Sequence, residues 1–247
     1  MIIVNLLEQH RDQAATPKGA FDFHLQRIKA VIDFIATKDE TLGGNWYLGG
    51  DSLQDALQYD VFANGAISKA AIDALKADYG HGKKIDRPKA LGIWNGRQDD
   101  GATAIMSLMI DTGIISNSVD LSLDEKANGL SRLGNYKSVA EVVAKVAELY
   151  HSLYVTFGPR AYQDQQVFDD RLGVSWMLYL PHVLTPAQVP EARALIPVMR
   201  DGQQQGTIIV SVTDEVFDVN NRAHVKAAND IEIRLADQDL LPRFIDL

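Results

Sequence analysis

The strongest constraint on the fold is a change of period next to Leu153. Val139, Val142, Val143, Val146, Leu149, Tyr150 and Leu153 recur three or four apart, which lines one face of a helix. Ser138 and Glu141 have the spacing of a capping box and mark its start. Tyr154 to Phe157 then reads as a strand ending at Gly158-Pro159. An amphipathic helix that runs straight into an apolar strand buries both against one core, so helices must lie on a sheet.

The rest of the chain mixes the two periods without regular alternation. Phe21, Leu25, Ile28, Ile32 and Ile35 predict an amphipathic helix within 21–38. Trp46 to Leu48 predicts a short strand, Ser52 with Asp55 a helix start, and Ser68 a cap for a helix over 69–79 that Gly80 stops. A polar loop is expected over 80–88 and a strand over Leu91–Trp94, closed by the Asn95-Gly96 turn. Ala104, Met106, Leu108 and Ile110 alternate with residues that are mostly apolar too, which predicts a strand buried on both faces.

Trp176, Leu178 and Leu180 predict a strand over 173–180. Thr185-Pro186-Ala187-Gln188 predicts a short capped helix through Leu195. Residues 197–213 predict a hairpin turning at Gly202, and Asn221 opens a segment with Val225, Ala228, Ile231 and Leu235 at helical spacing; Ile231, Ile233 and Leu235 also alternate, so its second half could be a strand, and helix is the favoured reading. No repeat, low-complexity tract or Pro/Ser-rich linker divides the chain, so residues 1–247 are expected to form a single compact α+β unit with mainly antiparallel strands.

Composition narrows the function. There are no cysteines, which removes thiolate chemistry and thiolate metal sites. Lys and Arg total 24 against 33 Asp and Glu, a net charge of −9. That surface suits a basic protein partner better than nucleic acid, whose phosphates need Lys and Arg. The first residues, Met1 to Glu8, carry neither the basic start nor the apolar length of a signal peptide or membrane span, so a cytoplasmic protein is expected.

The six histidines are scattered, and no phosphate loop, dinucleotide fingerprint or nucleophile elbow is present. No cofactor or metal is expected. Three acidic pairs stand out: Asp99-Asp100, Asp169-Asp170 and Asp214-Glu215. Neighbouring acids on a loop point apart, so their ordinary role is solvation; the function they would carry is contact with a basic partner. Trp46 and Trp94 adjoin glycine turns. Core packing is the ordinary place for a tryptophan, and an interface anchor is the alternative.

Several segments together resemble the immunity protein 52 family of bacterial polymorphic toxin systems. They are Trp176-Met177-Leu178-Tyr179-Leu180-Pro181, Thr185-Pro186-Ala187-Gln188-Val189-Pro190-Glu191-Ala192, Gly206 through Glu215, and Asp237-Gln238-Asp239-Leu240-Leu241-Pro242. Trp46 to Tyr59 and Leu91 to Gly96 match more weakly, and residues 1–40, with their amphipathic helix, fall outside the resemblance. The resemblance implies an α+β immunity protein, kept in the cytosol. Its partner would be a cognate toxin that resembles restriction-endonuclease-fold nucleases and is often delivered by type VI secretion. Two other readings compete with neutralisation by binding: a metal-assisted hydrolase built from scattered Asp and His, and an adaptor or chaperone for a secreted effector.

Overall fold

The computed structural model describes residues 2–13, 15–80, 84, 86–127 and 129–247. His81, Gly82, Lys83 and Ile85 of the expected polar loop lie outside the described residues. One nine-stranded antiparallel sheet organises the chain, in the order β2-β3-β4-β5-β1-β6-β7-β9-β8. The strands are β1 (Ile2–His10), β2 (Tyr47–Leu48), β3 (Lys89–Trp94), β4 (Ala104–Ile110), β5 (Asn117–Glu125), β6 (Tyr154–Pro159), β7 (Met177–Leu180), β8 (Ala194–Arg200) and β9 (Gln203–Val210). The α-helices are α1 (Phe21–Ile35), α2 (Leu53–Ala56), α3 (Lys69–Tyr79), α4 (Tyr136–Tyr150) and α5 (Arg222–Asp237). This is the expected α+β class, and the first strand of the chain is the middle strand of the sheet.

Helices α1 and α4 cover one face. Both present the apolar stripes read from the sequence, and α4 lies against α1 and across β6 to β9. The start of α4 differs from expectation. Asn135, not Ser138, is the N-cap, and its side chain accepts from the N–H groups of Lys137 and Ser138. Gly134, at φ +91°, turns the chain so that Asn135 is extended and meets the free N–H groups first, leaving Ser138 inside the first turn.

The other face is covered over only half the sheet. Leu178 and Ile209 point away from α4 and are fully buried. On the same face the Thr207 hydroxyl donates to the carbonyl of His182 and accepts from the Leu184 N–H. The loop that begins there is tied to α5 by the Arg234–Glu191 ion pair and by Gln238, whose amide donates to the Gln188 carbonyl. This loop and α5 therefore form the second cover over β7 and β9.

That loop replaces the helix expected over 185–195. The cap forms, since the Thr185 N–H and hydroxyl both donate to Gln188 Oε1. Pro190 then offers no N–H and its ring opposes the carbonyl four residues back, so one turn is all that follows before β8 starts at Ala194. The hairpin of β8 and β9 turns at Asp201-Gly202, with both residues at positive φ as a tight hairpin requires.

Over β2 to β5 the described residues leave most of the second face open, with α2 reaching only its edge at Trp94. Strand β4 buries Ala104, Met106, Leu108 and Ile110 beneath the helices, as expected. It is not buried on both faces, however: Ile105 is 45% and Met109 38% exposed. The intervening apolar residues, which made the sequence pattern look doubly buried, face solvent.

Candidate partner-binding surface

The pairing register lays out the open face. One row across the strands is Tyr47, Trp94, Ile105, Ser122 and Asn5. The next is Gly92, Ser107, Asp120 and Leu7, and the third Ala90, Met109, Ser118 and Gln9. Trp94 is tied to α2 because its indole Nε1 donates to the Ala56 carbonyl at 2.9 Å. Tyr47 stands 6.5 Å from it, ring centre to ring centre. Gly96 is needed here: its φ is +68°, and a Cβ would lie 2.7 Å from the Tyr47 ring. Leu53 and Leu57, exposed beside α2, extend the apolar surface past the sheet edge.

Polar groups on this face are organised by the middle strands. The Asn5 amide donates to Asp120 Oδ1 at 3.0 Å and to the Ser122 hydroxyl at 3.1 Å. Partial burial raises the Asp120 pKa, and the hydrogen bonds from Asn5 and Ser122 offset only part of that.

The structure disperses the residues singled out from the sequence. Asp99 and Asp100 are exposed on the β3–β4 loop, and Asp214 and Glu215 on the loop after β9. Both loops leave the same end of the sheet, the end where β1 starts. Glu215 has a partner within its own segment, His224 Nε2 at 2.8 Å. Asp169 and Asp170 lie elsewhere, on a segment fixed to the C-terminus by the Phe244 N–H donating to the Asp170 carbonyl. Trp46 is fully buried, with its Nε1 donating to the Leu42 carbonyl, and presents nothing to a partner. Trp94 is half-buried on the open face. A cleft of about 840 Å³ opens at the end of the sheet carrying the first and third acidic pairs, between the start of β1, Arg160–Asp164 and residues 216–220.

Sequence reasoning missed a charged cluster in the core beneath α1 and α4. His10 Nδ1 is 2.9 Å from Glu8 Oε2, and Arg27 donates to Asp12 at 2.7 Å while its guanidinium lies 3.9 Å over the Tyr150 ring. His24 Nε2 stands 3.8 Å from Asp12 Oδ2, the oxygen that also accepts from the Asn117 amide. Burial opposes the charge on His10, but the Asp12 and Glu8 carboxylates outweigh it and raise its pKa. Burial raises Glu8 and lowers His24, while His10 and Arg27 overcome burial at Asp12 and hold it well below the usual carboxylate range. Such shifts suit acid–base chemistry, yet Glu8, His10 and His24 are each sealed from solvent. Only Asp12 and Arg27, at its rim, keep some contact with solvent. Among the described residues no group of three or more His, Asp or Glu is placed to hold a metal.

With this geometry in place, the comparison with protein families is decisive. The model of the Immunity protein 52 family matches residues 21–243. The chain belongs to the Immunity protein 52 family. The match begins at α1, so the amphipathic helix left outside the sequence resemblance is part of the family's pattern. Among solved structures, the chain is similar to the Pseudomonas aeruginosa T6SS protein PA0821, with a TM-score of 0.52 and 10% identity. That likeness covers 94% of this chain and 76% of the other, and at this identity it speaks to the fold. A comparison with curated proteins finds no match. No helix among the described residues of this Immunity protein 52 member is long and apolar enough to cross a membrane.

Proposed function

We propose that this Immunity protein 52 member binds and neutralises a cognate toxin in the cytoplasm of the cell that makes it. The toxin is a restriction-endonuclease-like nuclease delivered by type VI secretion, and inhibition is by stoichiometric protein–protein contact rather than by catalysis. The observation that carries this reading is family membership over residues 21–243. Three features of the chain support it. The net charge of −9 favours encounter with a basic nuclease surface. Glu8, His10 and His24 of the buried cluster are sealed in the core. Half of one sheet face is left open with apolar side chains on it.

Co-expression tests the reading. Cells that express the nuclease domain encoded with this chain should die without it and grow with it. DNA from the rescued cells should stay intact. Rescue with DNA still degraded, or death despite soluble protein, would refute the proposal.

A further inference from the structure

The open half-face presents a contradiction between pattern and structure. Residues 104–110 are written as a strand with apolar side chains on both faces, yet the fold covers only one. Elsewhere the sheet resolves the same problem from within: Leu178 and Ile209, on the same face, are sealed by the 182–192 loop and α5. Nothing within the described chain performs this service for Ile105 and Met109. Around Trp94 the exposed apolar residues are contiguous, and Met109 stands beyond the row of Gly92, Ser107 and Asp120. Trp94 pairs with Ile105 in the register, touches α2 through Ala56, and stands beside Tyr47, with Leu53 and Leu57 following.

Among the described residues, acids prevail around the Trp94 end of this patch: Asp51, Asp55, Asp99, Asp100, Asp120 and Asp124 lie on the segments that form or border it, against Arg97, Lys126 and Arg160, whose charge reaches Asp120, while Lys84 and Arg87 precede β3 at the Met109 end. An apolar centre with aromatic and Met residues inside a charged rim is the anatomy of a protein interface. The sign of the rim selects a basic partner and excludes nucleic acid.

Resting on the immunity reading above, we propose that the open half-face centred on Trp94, Ile105 and Met109 is the toxin-docking surface, and that it receives an apolar or aromatic projection ringed by Lys and Arg. The centre holds the complex together and so sets its lifetime. The carboxylates act earlier, by steering encounter, and so set the association rate and its dependence on salt.

The test uses the full chain and the nuclease domain that it rescues in co-expression, immobilised on a biosensor. Ile105→Arg should raise Kd at least about 30-fold, the equivalent of a 2 kcal/mol hot spot at 1.4 kcal/mol per decade, mostly through faster dissociation. Met199→Arg, which charges an exposed apolar residue on β8, should leave Kd within about twofold, the scale of a neutral contact. Asp99→Lys with Asp100→Lys should slow association and flatten its salt dependence. Variants at the exposed Ile105, Met199, Asp99 and Asp100 are first checked for wild-type urea midpoints, and Trp94→Ala, at a half-buried residue, for a cooperative unfolding transition above the assay temperature. If folded Ile105→Arg and Trp94→Ala proteins both bind like wild type, the docking surface lies elsewhere and the immunity reading stands. If the wild-type chain does not bind the domain, both fall. Sedimentation of the chain alone supplies the remaining arm: a dimer that Ile105→Arg splits would make a second copy the occupant and overturn the proposal.

Discussion

Glu232 decides whether the second face of β7 and β9 stays covered. It is fully buried on α5, where Oε1 accepts from the Tyr162 hydroxyl at 2.6 Å and from the Val174 N–H at 2.8 Å, while Oε2 accepts from the Val167 N–H at 2.8 Å. Glu232→Ala orphans the buried Val174 N–H and strips the part-buried Val167 N–H, where water can take the carboxylate's place; Tyr162 keeps a second acceptor in Asn229 Oδ1 at 2.7 Å. At about 1–3 kcal/mol for the one buried orphaned donor, the loss should be about 1–3 kcal/mol, a sizeable part of the roughly 5–15 kcal/mol that holds an ordinary domain together. Glu232→Gln should fall between the two proteins, because its amide oxygen can replace Oε1 but its NH₂ then faces the Val167 N–H. Urea unfolding followed by far-UV circular dichroism measures both, and amide exchange at Val167 and Val174 reports whether the pin itself has gone. A loss below about 1 kcal/mol in Glu232→Ala would show that these hydrogen bonds do not hold α5 in place.

Further tests follow from the same structure. The His10 pKa is raised in the fold, so its contribution to stability is complete below its ordinary value of 6.5 and is lost as pH rises through the folded value. The raised Glu8 acts in the same direction from 4.5 upwards. Urea midpoints should therefore fall as pH rises above 6.5, and His10→Asn should flatten the slope; equal slopes in the two proteins would contradict this. Asn135→Ala should destabilise by about 1 kcal/mol and Ser138→Ala by less than about half of that, a comparison that distinguishes the two candidate caps of α4. Trp46→Ala should lose about 3–5 kcal/mol as a buried aromatic truncation, while Trp46→Phe, if folded, should bind the toxin with unchanged affinity.

The elements most legible in the sequence carry their own boundaries. Helix α3 runs over the expected residues because Ser68 caps it by accepting from the Ala71 N–H and Gly80 ends it. The apolar stripes of α1 and α4 were equally plain, since a 3.6-residue period needs no partner to be seen, while in α5 the alternation of Ile231, Ile233 and Leu235 also allows a strand, where the structure has helix through Asp237. Strand β1 escaped notice for the opposite reason. Its inward face carries Glu8 and His10, which are tolerable in a core only because Asp12, Arg27 and Tyr150 meet them there. Strand β5, also left out of the sequence reading, does alternate apolar Val119, Leu121 and Leu123 with polar residues. The helix expected after Thr185 shows how a local start signal loses to a proline five residues on.

The candidate surface was legible only in fragments. Trp94 and the Asp99-Asp100 pair belong to it, but its centre, Ile105 and Met109, looked like core. Whether an apolar side chain on a strand is covered depends on what crosses that face, and here the cover stops at the middle of the sheet. The two acidic pairs at one end of the sheet, more than a hundred residues apart in the chain, meet through the register of strands between them.

Titration of nuclease activity tests the central claim most directly. Purified toxin domain at a concentration far above the expected Kd is mixed with increasing amounts of this chain, and DNA cleavage is followed. The account predicts a linear fall to zero at a fixed molar ratio, unchanged by longer preincubation and accompanied by an intact toxin chain. Full cleavage at excess immunity protein, or inhibition that grows with time at substoichiometric amounts, would contradict neutralisation by binding.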